Sequence, residues 1–500
     1  MASTNNFGFK RRAGILLSVS SLPSPYGIGS LGREAYAFVD FLHQTGQTVW
    51  QVLPLNPTSY GDSPYQSPAS MVGNPYFIDP EQLCRDGLLT KEELDSARRT
   101  GTRVDYGDLF TSRYALLRTA YSRFTPDAAY RRFVKQNADW LEDYALFMAL
   151  KVRYDFRPWI EWSATHRDVK AARADISRHE EEMGFWRFIQ YTFMTEWRAL
   201  TDYAHSLGIR ILGDVPIYVA HDSLDVWRDP DQFLLDDTGA PIIVAGCPPD
   251  GFSPDGQLWG NPIYNWERMR HSDFSWWLRR FGYAFSMYDM VRIDHFRGFA
   301  SFYAIPYGDE NARRGHWMPA PGSALFAAVK EAYPRAKIIA EDLGFITEDV
   351  RELLAETGFP GMKILQFAFY EEDNEYLPRT YTTDNCVVYT GSHDADCTRT
   401  FIEETEGDVR RRMLRECPHT KGQSRTADLI DLALGSRANL AIIPMQDHLA
   451  LKNVEGRMNT PSTAEGNWQW RMPATYDTPA LRRRILSATE KAGRQNRTKQ

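Results

Sequence analysis

Eight short, almost continuously apolar runs recur along the chain, at residues 14–18, 49–55, 209–214, 290–294, 337–341, 362–367, 385–390 and 440–446. They are rich in Val, Ile and Leu and end in polar or acidic residues. Strands covered on both faces read this way, because neither face carries a polar stripe. Between most of them the pattern turns helical. Residues 32–46 set Phe38, Val39, Phe41 and Leu42 along one side. Residues 324–332 and 347–357 follow the same logic on either side of the fifth run, and Thr347 stands where an N-cap belongs. Eight parallel strands separated by helices predict an α/β fold, a (β/α)8 TIM barrel.

The spacing is uneven. About 150 residues separate the second and third runs, far more than one crossover needs. Residues 88–203 there read as a mostly helical, charged insertion. Residues 220–280, rich in Pro, Gly, Asp and Trp, read as a second, loop-rich insertion after the third strand, bordering one face of the barrel. The expectation is one catalytic barrel domain spanning 1–500, with both insertions near its C-terminal mouth. The polar tail, 482–500, reads as frayed.

Composition narrows the function. A chain that is 43% hydrophobic and 25% charged is that of an ordinary soluble protein. Its net charge of -7 lacks the basic surface that nucleic acid favours. No run reaches the length of a membrane span, and the N-terminus has no apolar signal-peptide core, so the expected location is cytoplasmic. Five widely spaced cysteines fit reduced thiols, and no ligand-like pairing suggests a metal. No glycine-rich, phosphate-cradling loop is present either.

Barrel enzymes work at the C-terminal ends of their strands. Four predicted strands end there in acid: Asp214, Asp294, Glu341 with Asp342, and Asp394 after His393. One such acid is commonly a helix cap, but several converging on one mouth are costly unless paired or used. Arg292 and Asp294 are two apart and share a strand face, so the guanidinium is expected to keep the carboxylate ionised, as a nucleophile needs. A structural ion pair would give the same spacing. Glu341 closes the apolar run Ile338-Ile339-Ala340, a setting that raises a carboxylic acid's pKa and suits a proton donor. Asp342 is expected to face away and cap the next segment, through Gly344. Two carboxyl groups flanking a bond are the minimum for retaining glycoside chemistry, and a third can stabilise charge at the anomeric carbon.

Longer stretches carry a resemblance. Ser20-Ser21-Leu22-Pro23-Ser24-Pro25-Tyr26-Gly27-Ile28-Gly29, Tyr60-Gly61-Asp62-Ser63-Pro64-Tyr65-Gln66-Ser67, Gly256-Gln257-Leu258-Trp259-Gly260-Asn261-Pro262, Arg292-Ile293-Asp294-His295-Phe296-Arg297-Gly298, Ala340-Glu341-Asp342-Leu343-Gly344, Gly391-Ser392-His393-Asp394 and Gly466-Asn467-Trp468-Gln469-Trp470-Arg471 resemble the amylomaltase family of 4-α-glucanotransferases. The resemblance implies Asp294 as nucleophile, Glu341 as acid/base and Asp394 as transition-state stabiliser. It implies sugar contacts from Tyr60, Asp214, Trp259, Asn261, Arg292, His295, His393 and Asn467. Maltooligosaccharide and glucan donors, with glucose or glucan acceptors, come with it, and no cofactor or metal. Four positions depart from the family pattern: Ser18 where His is common, Ala395 where Asn is common, Cys397 where Thr is common, and Cys247 where Val is common. An α-amylase-type hydrolase would use the same three carboxylates, and an inactive glucan-binding protein would share the groove. Products from maltotriose discriminate among them.

Overall fold

The structure is a computed structural model describing residues 11–249, 253–463 and 465–495; the side chain of Tyr60 also lies outside the described atoms. Eight parallel strands close a barrel. In chain order the strands are β1 (Arg12–Leu16), β2 (Val49–Gln51), β3 (Arg210–Val215), β4 (Ile243–Cys247), β5 (Gln257–Pro262), β6 (Met290–Ile293), β7 (Ser301–Pro306), β8 (His316–Pro319), β9 (Ile338–Ala340), β10 (Gly361–Ile364), β11 (Cys386–Tyr389) and β12 (Leu440–Pro444). The barrel runs β1-β2-β3-β6-β9-β10-β11-β12 and returns to β1. Its strands are buried on both faces, which is why their sequences are apolar without alternation.

The three predicted helices form as Arg33–Gln44, Gly322–Ala332 and Glu348–Thr357. Thr347 occupies the N-cap position of the last, but its hydroxyl pairs with the Asp349 carboxylate and makes no cap to the backbone.

Between β2 and β3 the chain is helical, ending in the 27-residue helix Glu180–Ser206. This helix is at once the end of the insertion and the crossover into β3. Trp197 on it donates from Nε1 to Met287 O at 3.1 Å, and Glu196 accepts the amide of Asp79 at 2.8 Å. Gly73 sits against the Phe193 ring so closely that a Cβ would lie 1.9 Å from Cδ1. The insertion and the barrel share one apolar cluster.

The second insertion differs from its loop-rich reading. It contributes β4 and β5 to a four-stranded antiparallel sheet, order β5-β4-β7-β8. Two of those strands come from beyond β6, so the pairing is non-local. Pro and Gly within the sequences hide the alternation that marks a half-buried strand.

The tail corrects a second expectation. Pro479–Lys491 is a helix with Leu481 and Ile485 buried, and Arg494 is 0% exposed. Its guanidinium donates to Leu434 O (2.6 Å), Arg12 O (3.0 Å) and Ser436 O (2.9 Å), stitching the tail to the start of the barrel. The polar composition is real, but the arginine is spent on buried carbonyls. Replacing Arg494 by Ala should cost about 2–3 kcal/mol, because two buried acceptors and one half-buried acceptor lose a charged donor. Urea unfolding of the variant, monitored by tryptophan fluorescence, reads that loss.

Candidate active site

Strand register brings the acids together. Asp214 on β3 lies opposite Arg292 on β6, and Arg292 lies opposite Ile339 on β9. Asp294 and Glu341 each come directly after the last residue of their strand. Backbone bonds lace these ends: Asp294 N donates to Val215 O (3.0 Å), Glu341 N to Ile293 O (3.0 Å) and Phe296 N to Glu341 O (3.1 Å).

The Arg292 side chain is buried among the acids. Nη1 donates to both Asp214 oxygens, at 2.7 and 2.8 Å, and lies 3.1 Å from Asp294 Oδ1. Nη2 is 3.8 Å from Glu341 Oε2. Burial opposes its charge, but Asp214, Asp294, Tyr65 and Glu341 outweigh that and hold its pKa well above the usual value. The contact to Asp294 follows from the Arg-x-Asp spacing. Burial pushes Asp294 above the ordinary carboxylate range. Arg292 pulls the other way and is outweighed, because its closest contacts go to Asp214 and because Asp214 and Asp394 add negative field. Glu341 is raised as well, first by burial and then by Asp294, against Arg292 and the amide of His295, which donates to Oε2 at 2.5 Å. Glu341 is farther from the guanidinium than Asp294, and its side chain is less exposed, 13% against 25%. A proton shared by the pair therefore resides on Glu341.

His295 takes a left-handed conformation, φ +47°, which aims its amide at Glu341. Burial and the neighbouring arginines push its imidazole down to about 3, so the ring is neutral. The Trp259 ring on β5 meets it edge-on, centroids 4.9 Å apart. His393 is buried and its pKa lowered by that burial; its Nε2 lies 3.3 Å from Asp394 Oδ2. Asp394 remains half open at the mouth, and Asn459 Nδ2 donates to its Oδ1 at 2.7 Å.

Asn261 and Asn467 stand near this cluster with their amides engaged by the protein. Asn261 bonds Gln66 and Val219 O; Asn467 ties Thr460 N to Thr463 O. The Tyr60 side chain and residues 250–252 lie outside the described atoms. Asp342 does not cap the following helix: its Oδ1 accepts Met362 N on β10 at 2.6 Å.

A family model described as 4-alpha-glucanotransferase matches residues 17–476. The chain belongs to the 4-α-glucanotransferase family. A 4-alpha-glucanotransferase of Clostridium butyricum is 43% identical over 490 residues, covering 96% of this chain and 100% of that one. One from Streptococcus pneumoniae is 44% identical, covering 96% and 97%. The solved structure of an amylomaltase from Streptococcus agalactiae in complex with acarbose superposes with a TM-score of 0.93 at 39% identity, covering 97% of this chain and 100% of that one.

In this member of the 4-α-glucanotransferase family, other residues complete the cluster that reading the sequence did not single out. Tyr65 Oη donates to Asp214 Oδ2 at 2.8 Å, and its ring stacks on His393 at 5.3 Å. Trp468 closes the same wall, 5.6 Å from Tyr65 and 5.9 Å from His393. Both lie in the motif stretches, where an aromatic among Gly, Pro and Ser was the usable signal. Asn459 and Arg457, whose Nη2 donates to Asp394 O at 3.3 Å, carried no signal. The departures Ser18, Ala395 and Cys397 line one cavity with Ser392 and His393. Tyr65→Phe removes one donor to Asp214 and leaves Arg292 in place. It should lower kcat/KM for maltotriose about 5- to 30-fold, the equivalent of one lost hydrogen bond to a charged group. Steady-state kinetics, with a thermal melt to establish an intact fold, checks this.

Proposed function

We propose that the chain moves a segment of an α-1,4-glucan onto the 4-hydroxyl of glucose or of another glucan, by a retaining double displacement. The observation that carries the mechanism is one guanidinium set between two raised carboxyls at unequal distance, Asp294 close and Glu341 far. In the first step Asp294 Oδ attacks the anomeric carbon while Glu341 gives its proton to the glycosidic oxygen. The C–O bond breaks, the leaving glucan departs as an alcohol, and a β-glycosyl ester forms on Asp294. In the second step ionised Glu341 takes the proton of the acceptor 4-hydroxyl. The new glycosidic bond forms as the ester bond to Asp294 breaks, and the starting protonation is restored.

Asp394 faces the developing positive charge. The neutral rings of His295 and His393 exchange hydrogen bonds with sugar hydroxyls, Arg292 and Asp214 fix the nucleophile, and Trp259 with Tyr60 offers stacking area. Asn261 and Asn467 serve the substrate by holding the end of the strand that carries Trp259 and the loop that carries Trp468. Residues 1–500 act as one catalytic unit with 88–203 and 220–280 as its insertions, supported by their shared core. We place it in the cytoplasm, on the composition of its cysteines; no helix among the described residues is long and apolar enough to cross a membrane.

Incubation with maltotriose should redistribute it into shorter and longer oligosaccharides without a matching gain in reducing ends. A matching gain means hydrolysis, and unchanged maltotriose means a binder. Asp294→Asn should lower transfer by orders of magnitude, and a fluorinated glucosyl donor should leave one sugar on the wild-type peptide containing Asp294. A label on Glu341 or Asp394 overturns the assignment.

The pH profile of kcat/KM should be a bell. Its acid limb reports ionisation of Asp294, and its basic limb loss of the Glu341 proton. Both groups are raised in the structure, so both limbs should lie above those of ordinary carboxyls. Glu341→Gln should abolish the basic limb. It should spare glycosyl-enzyme formation from a donor whose leaving group needs no proton.

A further inference from the structure

Away from the barrel mouth, the helical insertion gathers three potential ligands that the glucan chemistry does not use. His166 lies in the short helix Ala164–Arg167, Asp175 comes after the helix Val169–Ala174, and His179 precedes the long helix Glu180–Ser206. Their ligand atoms all lie within 4.8 Å of one another. Asp175 Oδ2 is 3.5 Å from His166 Nε2 and 3.8 Å from His179 Nε2. These spans are too long for hydrogen bonds. They match the edge of a tetrahedron whose spokes are about 2.1 Å, which is roughly 3.4 Å. Both imidazoles are more than nine-tenths buried, and neither Nε2 has a hydrogen-bond partner among the described residues. Buried unpaired ring nitrogens are costly, so two aimed at one carboxylate oxygen require an explanation.

We propose that His166 Nε2, His179 Nε2 and Asp175 Oδ2 form a zinc site with three protein ligands, its fourth position filled by water. Two imidazoles and one carboxylate suit a borderline cation and not the all-oxygen shell of calcium or magnesium. The surroundings fit as well. Tyr154 Oη stands 2.8 Å from His166 Nδ1 and can accept its proton, fixing the tautomer that leaves Nε2 free to ligate. Tyr154 Oη in turn donates to Ser163 Oγ at 3.0 Å. Arg178 Nε occupies Asp175 Oδ1 at 3.0 Å, leaving Oδ2 for the cation.

The site would close residues 166–179 onto the start of that helix. Just before this segment, Trp159 N donates to Asp222 Oδ1 at 3.1 Å, and its Nε1 to His221 O at 2.8 Å. Zinc would therefore secure a segment adjoining the loop that leaves the strand carrying Asp214.

The test uses full-length protein stripped with a chelator and titrated with Zn2+ alone, in competition with a chromogenic chelator. The expected result is one site per chain with Kd below about 1 µM. His166→Gln and His179→Gln should each weaken it roughly 100-fold, and Tyr154→Phe, which touches no ligand atom, roughly 10-fold. Co2+ added to the stripped wild type should give ligand-field absorption in the visible that Zn2+ abolishes, a readout needing no variant. Sub-stoichiometric or weak binding by the wild type, or binding that survives both histidine substitutions unchanged, overturns the proposal.

Discussion

The active site depends on one buried cation. Arg292 lies at the barrel mouth with its side chain 4% exposed, and desolvating a guanidinium costs several kcal/mol unless close anions repay it. Asp214 does so, with both oxygens within 2.8 Å of one nitrogen. The two residues are register partners on adjacent strands, so the ion pair exists only if β3 and β6 pair in this register. A slip of one residue would turn Arg292 outward among the apolar side chains of the helical layer and leave Asp214 unpaired. Gly213 serves the same register from outside: a Cβ there would fall 2.3 Å from the Tyr288 ring. Fold and chemistry thus share one constraint, and the barrel cannot form correctly with the site misassembled.

That cation serves more anions than it can neutralise. Having satisfied Asp214, it meets Asp294 at 3.1 Å and Glu341 at 3.8 Å, and both carboxyls rise above their ordinary range. The excess of acid over base sets their order of ionisation, which gives two like groups different roles. The left-handed turn at His295 aims its amide at Glu341 Oε2, 2.5 Å away, which favours the ionised carboxylate. In the proposed cycle, that donor opposes the first proton transfer and stabilises the carboxylate it leaves. A backbone conformation costing of order 1 kcal/mol thus sits beside the group proposed to change charge.

Much of this was legible in the sequence because the relevant signals are local. Each barrel strand shows its apolar run, and Asp214, Asp294 and Glu341 can be placed by counting to strand ends. The strands proved shorter than their apolar runs at several ends: 49–55 became Val49–Gln51 and 362–367 became Gly361–Ile364, with Val52 to Leu55 and Leu365 to Gln366 leaving the ladder while staying buried and Phe367 reaching the surface. The illegible part is non-local. The β5-β4-β7-β8 sheet draws strands from both sides of β6. Tyr65 reaches Asp214 across 149 positions, and Arg494 reaches Arg12 across 482. His166 stands apart in sequence from Asp175 and His179, so the spacing looked nothing like a ligand motif. Arg292 favours the ionised form of Asp294, as its place two residues away implies, but the sequence does not display the burial or the acid on the next strand that raise the carboxyl.

The pair Glu341-Asp342 shows how one strand end separates two tasks. Alternation turns the two carboxyls to opposite sides, Glu341 into the mouth and Asp342 toward β10. The ladder between β9 and β10 amounts to a single register pair, Gly361 with Ala340. Just past that point Asp342 Oδ1 takes the amide of Met362 at 2.6 Å, so a side chain continues the pairing that the backbone has stopped supplying. Gly361 is required for the approach, since a Cβ there would lie 2.3 Å from Asp342 Oδ2. Burial pushes this carboxyl up to about 7, with Lys363 pulling it down, so its proton is held by a structural position and not by the cleft. An acid expected to cap the next segment acts instead as a brace between two strands. By fixing the end of a three-residue strand, Asp342 holds the backbone that carries Glu341.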